Sequence, residues 1–336
     1  MDEPSSTIFS QGIAMHIVTG GAGFIGSALI WMLNEAGIDD ILVVDNLGTS
    51  EKWKNLVNRR FSTYMHRDDF LRAVKEDAFD RVDAVLHMGA CSATTERDAD
   101  FLMRNNLEYT KTVCRYALNK GARFINAGSA ATYGDGSLGF DDAPSGIRAL
   151  KPLNMYGYSK QLFDLWLQRE NLFGAVASLK FFNVYGPNEQ HKGDMRSVIN
   201  KAFHTISETG KMRLFRSTDP QYADGGQMRD FVYIKDCTAV IAWLLGNPRV
   251  NGIFNLGTGT ARTWNDLLKA VFTAMGKPVD IEYVDMPEHL RGKYQNFTEA
   301  RMNRLRAAGY TAPMQSIEVG VTDYVQNYLM APDPYL

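Results

Sequence analysis

The stretch from residue 15 to residue 46, MHIVTGGAGFIGSALIWMLNEAGIDDILVVDN, decides the fold. A short apolar run ends at Gly20, and the spacing Gly20-x-x-Gly23-x-x-Gly26 then opens a helical segment that leads to a second apolar run. The first glycine permits a tight turn, the second lets backbone N–H groups approach a pyrophosphate, and the third lets the helix lie close to the strand. The pattern therefore predicts a βαβ unit that binds a dinucleotide at the helix N-terminus.

An acidic residue, Asp45, ends the second predicted strand. A carboxylate at this distance from the glycines accepts hydrogen bonds from the hydroxyls of an adenosine ribose. A glycine turn that served only to pack a helix on a sheet does not explain this carboxylate. By itself Asp45 favours NAD, because a carboxylate repels the 2′-phosphate of NADP.

Composition limits the classes of protein to which the chain can belong. With 336 residues, 45% of them hydrophobic, the chain can bury a large core as one large or two modest domains. A net charge of −2 gives no general attraction to nucleic acid or to an anionic membrane. The three cysteines, Cys91, Cys114 and Cys237, are widely spaced and have no metal-ligand partners nearby, so we expect reduced core residues, a cytoplasmic protein and no metal site.

The first 14 residues have no apolar segment typical of a signal peptide or membrane anchor, so we expect a disordered extension there. From residue 15 onward, predicted strands and helices alternate, which indicates an α/β protein with a doubly wound Rossmann-type parallel sheet and a smaller C-terminal substrate lobe. The expected dinucleotide domain comprises residues 15–181 with 231–260, and the substrate lobe comprises residues 182–230 with 261–336. Thr263-x-x-Asp266 predicts a capping box at the start of a helix in that lobe.

Three residues make a candidate reaction centre. In Tyr156-Gly-Tyr-Ser-Lys160, Tyr156 and Lys160 are four apart and share one face of a helix. A lysine ammonium beside the phenol lowers the pKa of tyrosine, as a general base requires, and the lysine can also bind the nicotinamide ribose. Ser129 ends the fifth predicted strand, where it can hold a substrate oxygen beside that tyrosine.

The spacing alone is weak evidence, because Tyr116 and Lys120 repeat it in the same chain. That pair precedes the fifth strand, so we expect it on a packing helix behind the sheet. Tyr156 instead follows the Ser129 strand, as the proposed geometry demands. The sequence therefore favours Tyr156 and Lys160 as the catalytic pair.

TGGAGFIG, Ser129, YGYSK and RDFVY together resemble the extended short-chain dehydrogenase/reductase family. Longer segments are similar to the members that invert C6 of the heptose in ADP-heptose for lipopolysaccharide core synthesis. The resemblance runs from residue 15 to the 320s. The segments are ILVVDNL, GACSATTE, NAGSAATYG, PLNMYGYSKQLFD, FFNVYGPNEQHKGDM, GIFNLGTGTAR and RAAGY, and HKGDM is among the more discriminating.

The resemblance implies an NADP-dependent epimerase of ADP-heptose that works as a homo-oligomer, a pentamer in related enzymes. It assigns acid/base roles to Tyr156, assisted by Lys160, and to Lys192. The cofactor residues it implies, besides Gly20, Gly23, Gly26, Tyr156 and Lys160, are Phe24, Ile25, Asp45, Asn46, Lys52, Arg67, Gly89, Ala90, Cys91, Ser92, Asn105 and Val184. The implied substrate residues are Ser129, Asn183, Val184, Lys192, Asp194, Lys201, Phe215, Arg229 and Tyr294.

Three of these residues have a specific electrostatic use. Lys52, and Arg67 with it, can attract a 2′-phosphate, so NADP follows from the resemblance, while NAD also fits the sequence. Arg229 suits a diphosphate, because a guanidinium binds two oxygens at once. A salt bridge to Asp230 is an alternative role for Arg229.

The chain departs from the family pattern at three places. Met88 stands where an acidic residue is expected before Gly-Ala-Cys, and Asp194 stands where serine is expected after Lys192-Gly193. Residues 219–227 read as an insertion beside the diphosphate loop. Asp194 matters most, since it adds negative charge beside an anionic substrate.

Three other functions compete with this interpretation. A 4,6-dehydratase carries an acidic pair after its catalytic hydroxyl, whereas Ser129 is followed by Ala-Ala-Thr, which has no group for elimination. A nucleotide-sugar 4-epimerase shares the other motifs but has no need of Lys192. A non-catalytic NADP-sensing regulator would keep the glycine loop alone, and the intact Ser129, Tyr156 and Lys160 argue against it.

Overall fold

The structure is a computed structural model that describes residues 15–288 and 295–336. Its strands, in chain order, are Met15–Thr19 (β1), Ile41–Asp45 (β2), Thr63–His66 (β3), Val82–His87 (β4), Arg123–Ser129 (β5), Val176–Phe181 (β6), Asn183–Tyr185 (β7), Met212–Phe215 (β8), Met228–Arg229 (β9), Phe231–Tyr233 (β10), Gly252–Leu256 (β11), Arg262–Thr263 (β12) and Ile281–Val284 (β13).

The helices lie between these strands. In chain order they are Phe24–Glu35 (α1), Arg67–Lys75 (α2), Ala99–Leu102 (α3), Tyr109–Asn119 (α4), Met155–Arg169 (α5), Val198–Thr209 (α6), Ile234–Gly246 (α7), Trp264–Ala274 (α8), Asn303–Ala307 (α9) and Ile317–Tyr324 (α10). The predicted capping box of Thr263 and Asp266 is present at the start of α8.

Seven strands form one sheet in the order β3-β2-β1-β4-β5-β6-β11, and every neighbouring pair in it runs parallel. The chain winds outward in one direction from β1 to β3 and in the other direction from β4 to β11. The carboxyl ends of β1 and β4 therefore meet where the strand order reverses, which is where such sheets bind ligands. The predicted doubly wound sheet is confirmed.

Both faces of this sheet are apolar, because successive side chains along each strand enter opposite cores. On β1, Ile17 belongs to one buried cluster and Val18 to the other, and on β5 Phe124 and Ile125 divide in the same way. Helices cover both layers. The polar groups that do chemistry are thus left to the strand ends and the loops beyond them.

Outside the main sheet, short strands pair in three places: β7 with β10, β8 with β13, and β9 with β12. These pairs come largely from the segments predicted to form the substrate lobe, and the exact division into domains stays a prediction. The expected extension over residues 1–14 lies outside the described residues. Across residues 15–288 and 295–336, no helix is long and apolar enough to cross a membrane.

The periodicity of residues 101–120 predicts helix, and the segment is helical with one widened stretch inside it. Residues Met103–Glu108 form a π-helical stretch between α3 and α4. Such widened turns are rare and often occur at functional sites, because they change which side chains a helix directs at a pocket. Here the stretch carries Asn105, which lines the main cleft of the described structure, and the neighbouring Asn106, which is buried beneath it.

Candidate active site

A cleft of about 840 Å³ lies at the carboxyl edge of the sheet, over the place where the strand order reverses. It is lined by every residue to which the sequence assigns a cofactor role: Gly20, Gly23, Phe24, Ile25, Gly26, Asp45, Asn46, Lys52, Arg67, Gly89, Ala90, Cys91, Ser92, Asn105, Tyr156, Lys160 and Val184. The lining also includes Ser129, Asn183 and Lys192. The fold thus brings the predicted catalytic and cofactor residues to one cavity.

The glycine turn at the floor of the cleft fits a dinucleotide because side chains have no room there. Gly20 has a φ of +65°, and a Cβ on Gly26 would lie 2.1 Å from the Gly20 carbonyl oxygen. The turn closes through a hydrogen bond from Gly23 N to Gly20 O, and α1 then begins with no side-chain cap. Its first-turn N–H groups are therefore available to a bound anion such as a pyrophosphate.

Asp45 is held by three donors at the end of β2. Its carboxylate accepts hydrogen bonds from the backbone N–H of Ala22 (2.8 Å) and of Asn46 (2.7 Å). The Lys52 ammonium lies 2.6 Å from the same carboxylate. The charge by which Asp45 would repel a 2′-phosphate is therefore offset by Lys52 beside it.

Beyond β4, the loop that faces the glycine turn is held by a buried amide. Asn106 accepts a hydrogen bond from Cys91 N and donates one to Cys91 O, both at 2.9 Å. It also donates to Ser159 Oγ on α5 at 3.1 Å. One side chain from the π-helical stretch thus ties the cofactor loop to the helix that carries Tyr156. The sequence does not point to Asn106 as a site residue, and the nearest hint to it is the predicted cofactor residue Asn105 beside it.

Tyr156 and Ser129 meet because α5 lies unusually close to the turn after β5. A Cβ on Gly157 would lie 2.7 Å from the carbonyl oxygen of Ala131, so only glycine allows this approach. Asn154 caps α5 by accepting a hydrogen bond from Gly157 N at 2.8 Å. Ser129 and Tyr156 both line the cleft at this point. The structure therefore places these two side chains as the sequence predicts.

The expected lowering of the Tyr156 pKa by Lys160 is not met in this structure. Burial raises the pKa of Tyr156, and it outweighs the hydrogen bond with Ser129, which acts in the opposite direction. Burial also lowers the pKa of Lys160 to about 8, against the attraction of Asp164. The Lys160 ammonium donates to the carbonyl oxygen of Ala127 at 2.7 Å, so the strand end, rather than the phenol, fixes its position.

The repeated pair Tyr116 and Lys120 does lie behind the sheet. Tyr116 is buried in the core next to Phe79, with ring centroids 6.3 Å apart. Lys120 forms an ion pair with Asp77 at 2.7 Å. Neither side chain lines the cleft. The same Tyr-x-x-x-Lys spacing therefore occurs once behind the sheet and once in the cleft. The pair that lines the cleft is the one that follows β5 in the chain.

Lys192 lines the same cleft from another element, the short 3₁₀ turn Gln190–Met195 that follows β7. Its ammonium lies 5.1 Å from the centre of the Phe24 ring, at a distance typical of a cation–π contact. Burial lowers the pKa of Lys192, and Glu189 opposes this shift. A second group able to exchange a proton thus faces the cleft from a different element than Tyr156.

Of the eight predicted substrate residues that the structure describes, four do not line the cleft: Asp194, Lys201, Phe215 and Arg229. Asp194 is exposed, and its backbone oxygen accepts a hydrogen bond from the Lys201 ammonium. Phe215 ends β8 and is half-buried. Arg229 donates to Met228 O at 2.8 Å and lies 5.7 Å from the ring of Trp264, which does line the cleft. Tyr294 lies outside the described residues.

The main partners of Asp230 are backbone N–H groups, so the structure does not support a salt bridge with Asp230 as the alternative role of Arg229. That buried carboxylate accepts hydrogen bonds from the backbone N–H groups of Thr258 (2.7 Å), Gly259 (2.9 Å) and Ala300 (2.9 Å). Asp230 therefore ties β10 to the loop after β11.

The three departures from the family pattern lie in different surroundings. Met88 is a half-buried part of the cleft lining, and its backbone N–H donates to Thr19 O. The segment 219–227 is tied to the end of β8, because Asp224 accepts a hydrogen bond from Ser217 N at 2.8 Å.

All three cysteines, each in the described part of the chain, are free thiols. Cys114 and Cys237 are core residues as expected, but Cys91 is partly exposed in the cleft, because it follows the end of β4.

Comparison with known proteins assigns the chain to a family. A model of the NAD dependent epimerase/dehydratase family matches residues 16–257. The ADP-L-glycero-D-manno-heptose-6-epimerase of Nitratidesulfovibrio vulgaris strain DP4 is 67% identical over 323 residues, which cover 96% of this chain and 100% of the relative. The protein of the same name from Fusobacterium nucleatum is 48% identical over 333 residues, with 96% and 100% covered.

A solved structure gives the same result. The crystal structure of Helicobacter pylori ADP-L-glycero-D-manno-heptose-6-epimerase superposes with a TM-score of 0.77 at 26% identity, and the match covers 94% of this chain and 96% of that one. The resemblance to nucleotide-sugar epimerases predicted from the motifs is confirmed by these matches. Because the family model spans most of the chain and the relatives span nearly all of it, the chain belongs to the NAD dependent epimerase/dehydratase family.

Proposed function

We propose that the chain is an isomerase that inverts C6 of the heptose in ADP-glycero-manno-heptose, for the synthesis of lipopolysaccharide core heptose. The observation that carries the proposal is that Tyr156 and Lys192, from two different elements, line one cleft with a turn that fits a dinucleotide. The 67% identity to a relative with that activity in its name supports the choice of substrate. A nucleotide sugar is the broader class to which this substrate belongs.

The family is NAD dependent, so the chain takes a nicotinamide dinucleotide in the cleft over the glycine turn. When bound, this cofactor supplies reversible hydride transfer to and from C6 of the sugar. The protein must hold the cofactor in one place through both transfers. The close packing of Gly20 against Gly26, and the hydrogen bond that joins the glycine turn to Asp45, fix the turn on which the cofactor lies.

Inversion needs two proton-transfer groups because the sugar oxygen changes position. Tyr156 takes the proton from the C6 hydroxyl while Ser129 holds that oxygen. Because burial raises the pKa of this phenol, the role requires the positive charge of the bound, oxidised nicotinamide to lower it. The keto sugar then turns, so that hydrogen returns to its other face and the oxygen takes a new position in the cleft. Lys192, which lines the same cleft from another element, gives the proton to the new hydroxyl. In the reverse direction, the two groups exchange roles.

The proposed cofactor is NADP, held tightly, with Lys52 as the residue that accepts its extra phosphate. Lys52 already offsets the charge of Asp45, and its side chain lines the cleft where the adenosine end belongs. Arg67 lines the same region and donates to Asn105. Two cations near one carboxylate favour an added phosphate over a bare ribose.

Replacing Lys52 by methionine is expected to reduce the preference for NADP over NAD about tenfold, or roughly 1.4 kcal/mol. The loss has two causes, because the phosphate loses a cation and Asp45 regains its full repulsion. Dissociation constants for both dinucleotides measured by titration calorimetry give the ratio directly. Lys54→Met is the matched control, since Lys54 lies on the same turn but pairs with Glu51. An unchanged ratio in Lys52→Met would remove Lys52 from this role.

The competing functions predict different products from the same assay. Purified protein is incubated with either pure C6 epimer of the ADP-heptose, and the sugar is followed by NMR. We expect a mixture of both C6 epimers from either starting point. Inversion at C4 of another nucleotide sugar, with C6 unchanged, would establish the 4-epimerase. Absence of turnover with every nucleotide sugar tested would establish the regulator. Assembly into a homo-oligomer, a pentamer by resemblance, stays a prediction.

A further inference from the structure

Asn188 is a buried residue with a left-handed backbone conformation, and none of the roles described so far uses it. Its φ is +74°, and it is 0% exposed. It lies in the loop between β7 and α6, four residues before Lys192. A buried side-chain amide needs partners for both its nitrogen and its oxygen, so these partners show what the residue holds in place.

The side-chain amide of Asn188 joins this loop to α1. Its Nδ2 donates to Ser27 Oγ at 2.9 Å, and its Oδ1 accepts a hydrogen bond from Leu336 N at 2.9 Å. Ser27 is buried near the start of α1, where its hydroxyl donates to Gly23 O at 2.7 Å. Two successive hydrogen bonds therefore connect Asn188 to the glycine turn that fits a dinucleotide.

A second buried amide, that of Asn55, joins the same loop to the same glycine turn. Asn55 is 2% exposed and lies in the 3₁₀ turn Glu51–Leu56. Its Nδ2 donates to Ala22 O at 2.9 Å and to Asn188 O at 3.1 Å, and it lies 3.1 Å from His191 Nδ1. The loop is thus held against the glycine turn at two of its residues.

Lys192 directly follows the second of these two residues. Its backbone N–H donates to Glu189 O at 3.0 Å, which closes the turn that presents its side chain to the cleft. The Glu189 carboxylate accepts a hydrogen bond from Ser197 Oγ at 2.6 Å, at the N-cap of α6. The turn is therefore attached to α6 on one side and to the glycine turn on the other.

We propose that Asn188 and Asn55 are positioning residues that fix the Lys192 turn to the glycine turn, so that Lys192 keeps its place relative to the bound dinucleotide. The acid/base role of Lys192 rests on the proposed function, whereas the attachment of its turn does not. Hydride and proton must reach the same C–O group of the sugar, so the cofactor and the proton donor need a common support. The two asparagines provide it.

Hydrogen–deuterium exchange measures this attachment without any assay of activity. Exchange in the full-length protein is followed by mass spectrometry in peptides that cover residues 189–197 and 198–209. Asn188→Gly removes both side-chain hydrogen bonds, and glycine adopts a φ of +74° without strain. We expect exchange in residues 189–197 to become about tenfold faster and exchange in α6 to change by less than about twofold, because the turn opens locally.

Asn171→Gly is the matched control for this substitution. Asn171 also has a positive φ, +56°, but it is exposed in the loop after α5 and does not line the cleft. Exchange in residues 189–197 is expected to equal that of the unmodified protein. If the control accelerated exchange there as much as Asn188→Gly does, the effect would be a general loss of stability and the proposal would be overturned.

Ser27→Ala tests the same contact from its other side. It removes the acceptor of Asn188 Nδ2 on α1, so exchange in residues 189–197 should again become faster. The double variant is expected to exchange no faster than Asn188→Gly alone, because both substitutions break one contact. Accelerations that multiply in the double variant would show that Asn188 does not act through α1, and would overturn the proposal.

Cofactor binding and turnover of Asn188→Gly distinguish positioning from a role in binding. The dissociation constant of the dinucleotide should stay within about twofold, because the glycine turn keeps its own hydrogen bond and its link to Asp45. We expect kcat for C6 inversion to fall about tenfold, while the first oxidation in a single turnover keeps its rate, since Tyr156 lies on α5. An equal fall in both rates would contradict the proposal.

Thermal unfolding shows whether each variant is folded at the temperature of measurement. If Asn188→Gly does not fold, Ser27→Ala takes its place, with faster exchange in residues 189–197 as the expected result. Unchanged exchange in that peptide of the folded variant would overturn the proposal. If the unmodified protein does not invert C6, the proposed function fails, but the exchange result still decides whether the Lys192 turn is attached in this way.

Discussion

Replacing Tyr156 by phenylalanine is expected to lower kcat for C6 inversion about a thousandfold, while the protein still binds its nicotinamide cofactor. Only the phenolic hydroxyl is removed, and the ring continues to fill its place beside Ser129 and Gly157. Because Lys160 is fixed by the Ala127 carbonyl oxygen and not by the phenol, its position should not change. Cofactor affinity is measured by calorimetry and turnover by NMR of the sugar.

The chain contains its own control for this variant. Tyr116→Phe removes the tyrosine hydroxyl from the other Tyr-x-x-x-Lys pair of the chain, on a helix that packs behind the sheet. Its kcat is expected to equal that of the unmodified protein. If Tyr156→Phe kept full activity with folding intact, the base would have to lie elsewhere. If Tyr116→Phe lost activity to the same extent, the loss would reflect packing and not proton transfer.

Replacing Lys192 by methionine is expected to lower the rate of C6 inversion about a hundredfold or more. Methionine keeps most of the stem that packs on Phe24 but can neither give nor take a proton. The epimer whose hydroxyl faces Tyr156 should still be oxidised once, so reduced cofactor should accumulate on the enzyme in a single turnover. Absorbance at the reduced nicotinamide band detects this species, and NMR detects the missing product.

The control for Lys192→Met is Lys211→Met, an exposed lysine that pairs with Glu282 at the surface. It should leave both measurements unchanged. Full inversion by Lys192→Met would show that one proton-transfer group is enough, as in the competing 4-epimerase. Loss of the first oxidation as well would instead mean that Lys192 is needed to bind the sugar.

The parts of the site that sequence analysis predicted are those encoded by local patterns. Gly20 and Gly26 are required by backbone contacts within one turn, and Asp45 follows from its place at a strand end. Ser129 and Tyr156 follow from the rule that strand carboxyl ends share one edge of a parallel sheet. Each of these inferences needs only the order of elements along the chain.

The parts that were missed depend on side chains that meet from distant segments. Asn106 joins the Cys91 loop to α5, and this pairing leaves no periodic signal. Lys52 turns onto Asp45 through a rotamer choice that spacing does not encode. The resemblance assigns Lys201 to the substrate, but the Lys201 ammonium binds the backbone oxygen of Asp194, and sequence spacing does not encode that contact either.

The central claim is that one bound cofactor removes and returns the same hydrogen at C6. The most direct test is to supply ADP-heptose with deuterium at C6 and to follow the sugar by NMR in ordinary water. We expect both C6 epimers to form, deuterium to stay at C6 in each of them, and no reduced cofactor to be released. Replacement of the deuterium by solvent hydrogen, or inversion at a different carbon, would contradict it.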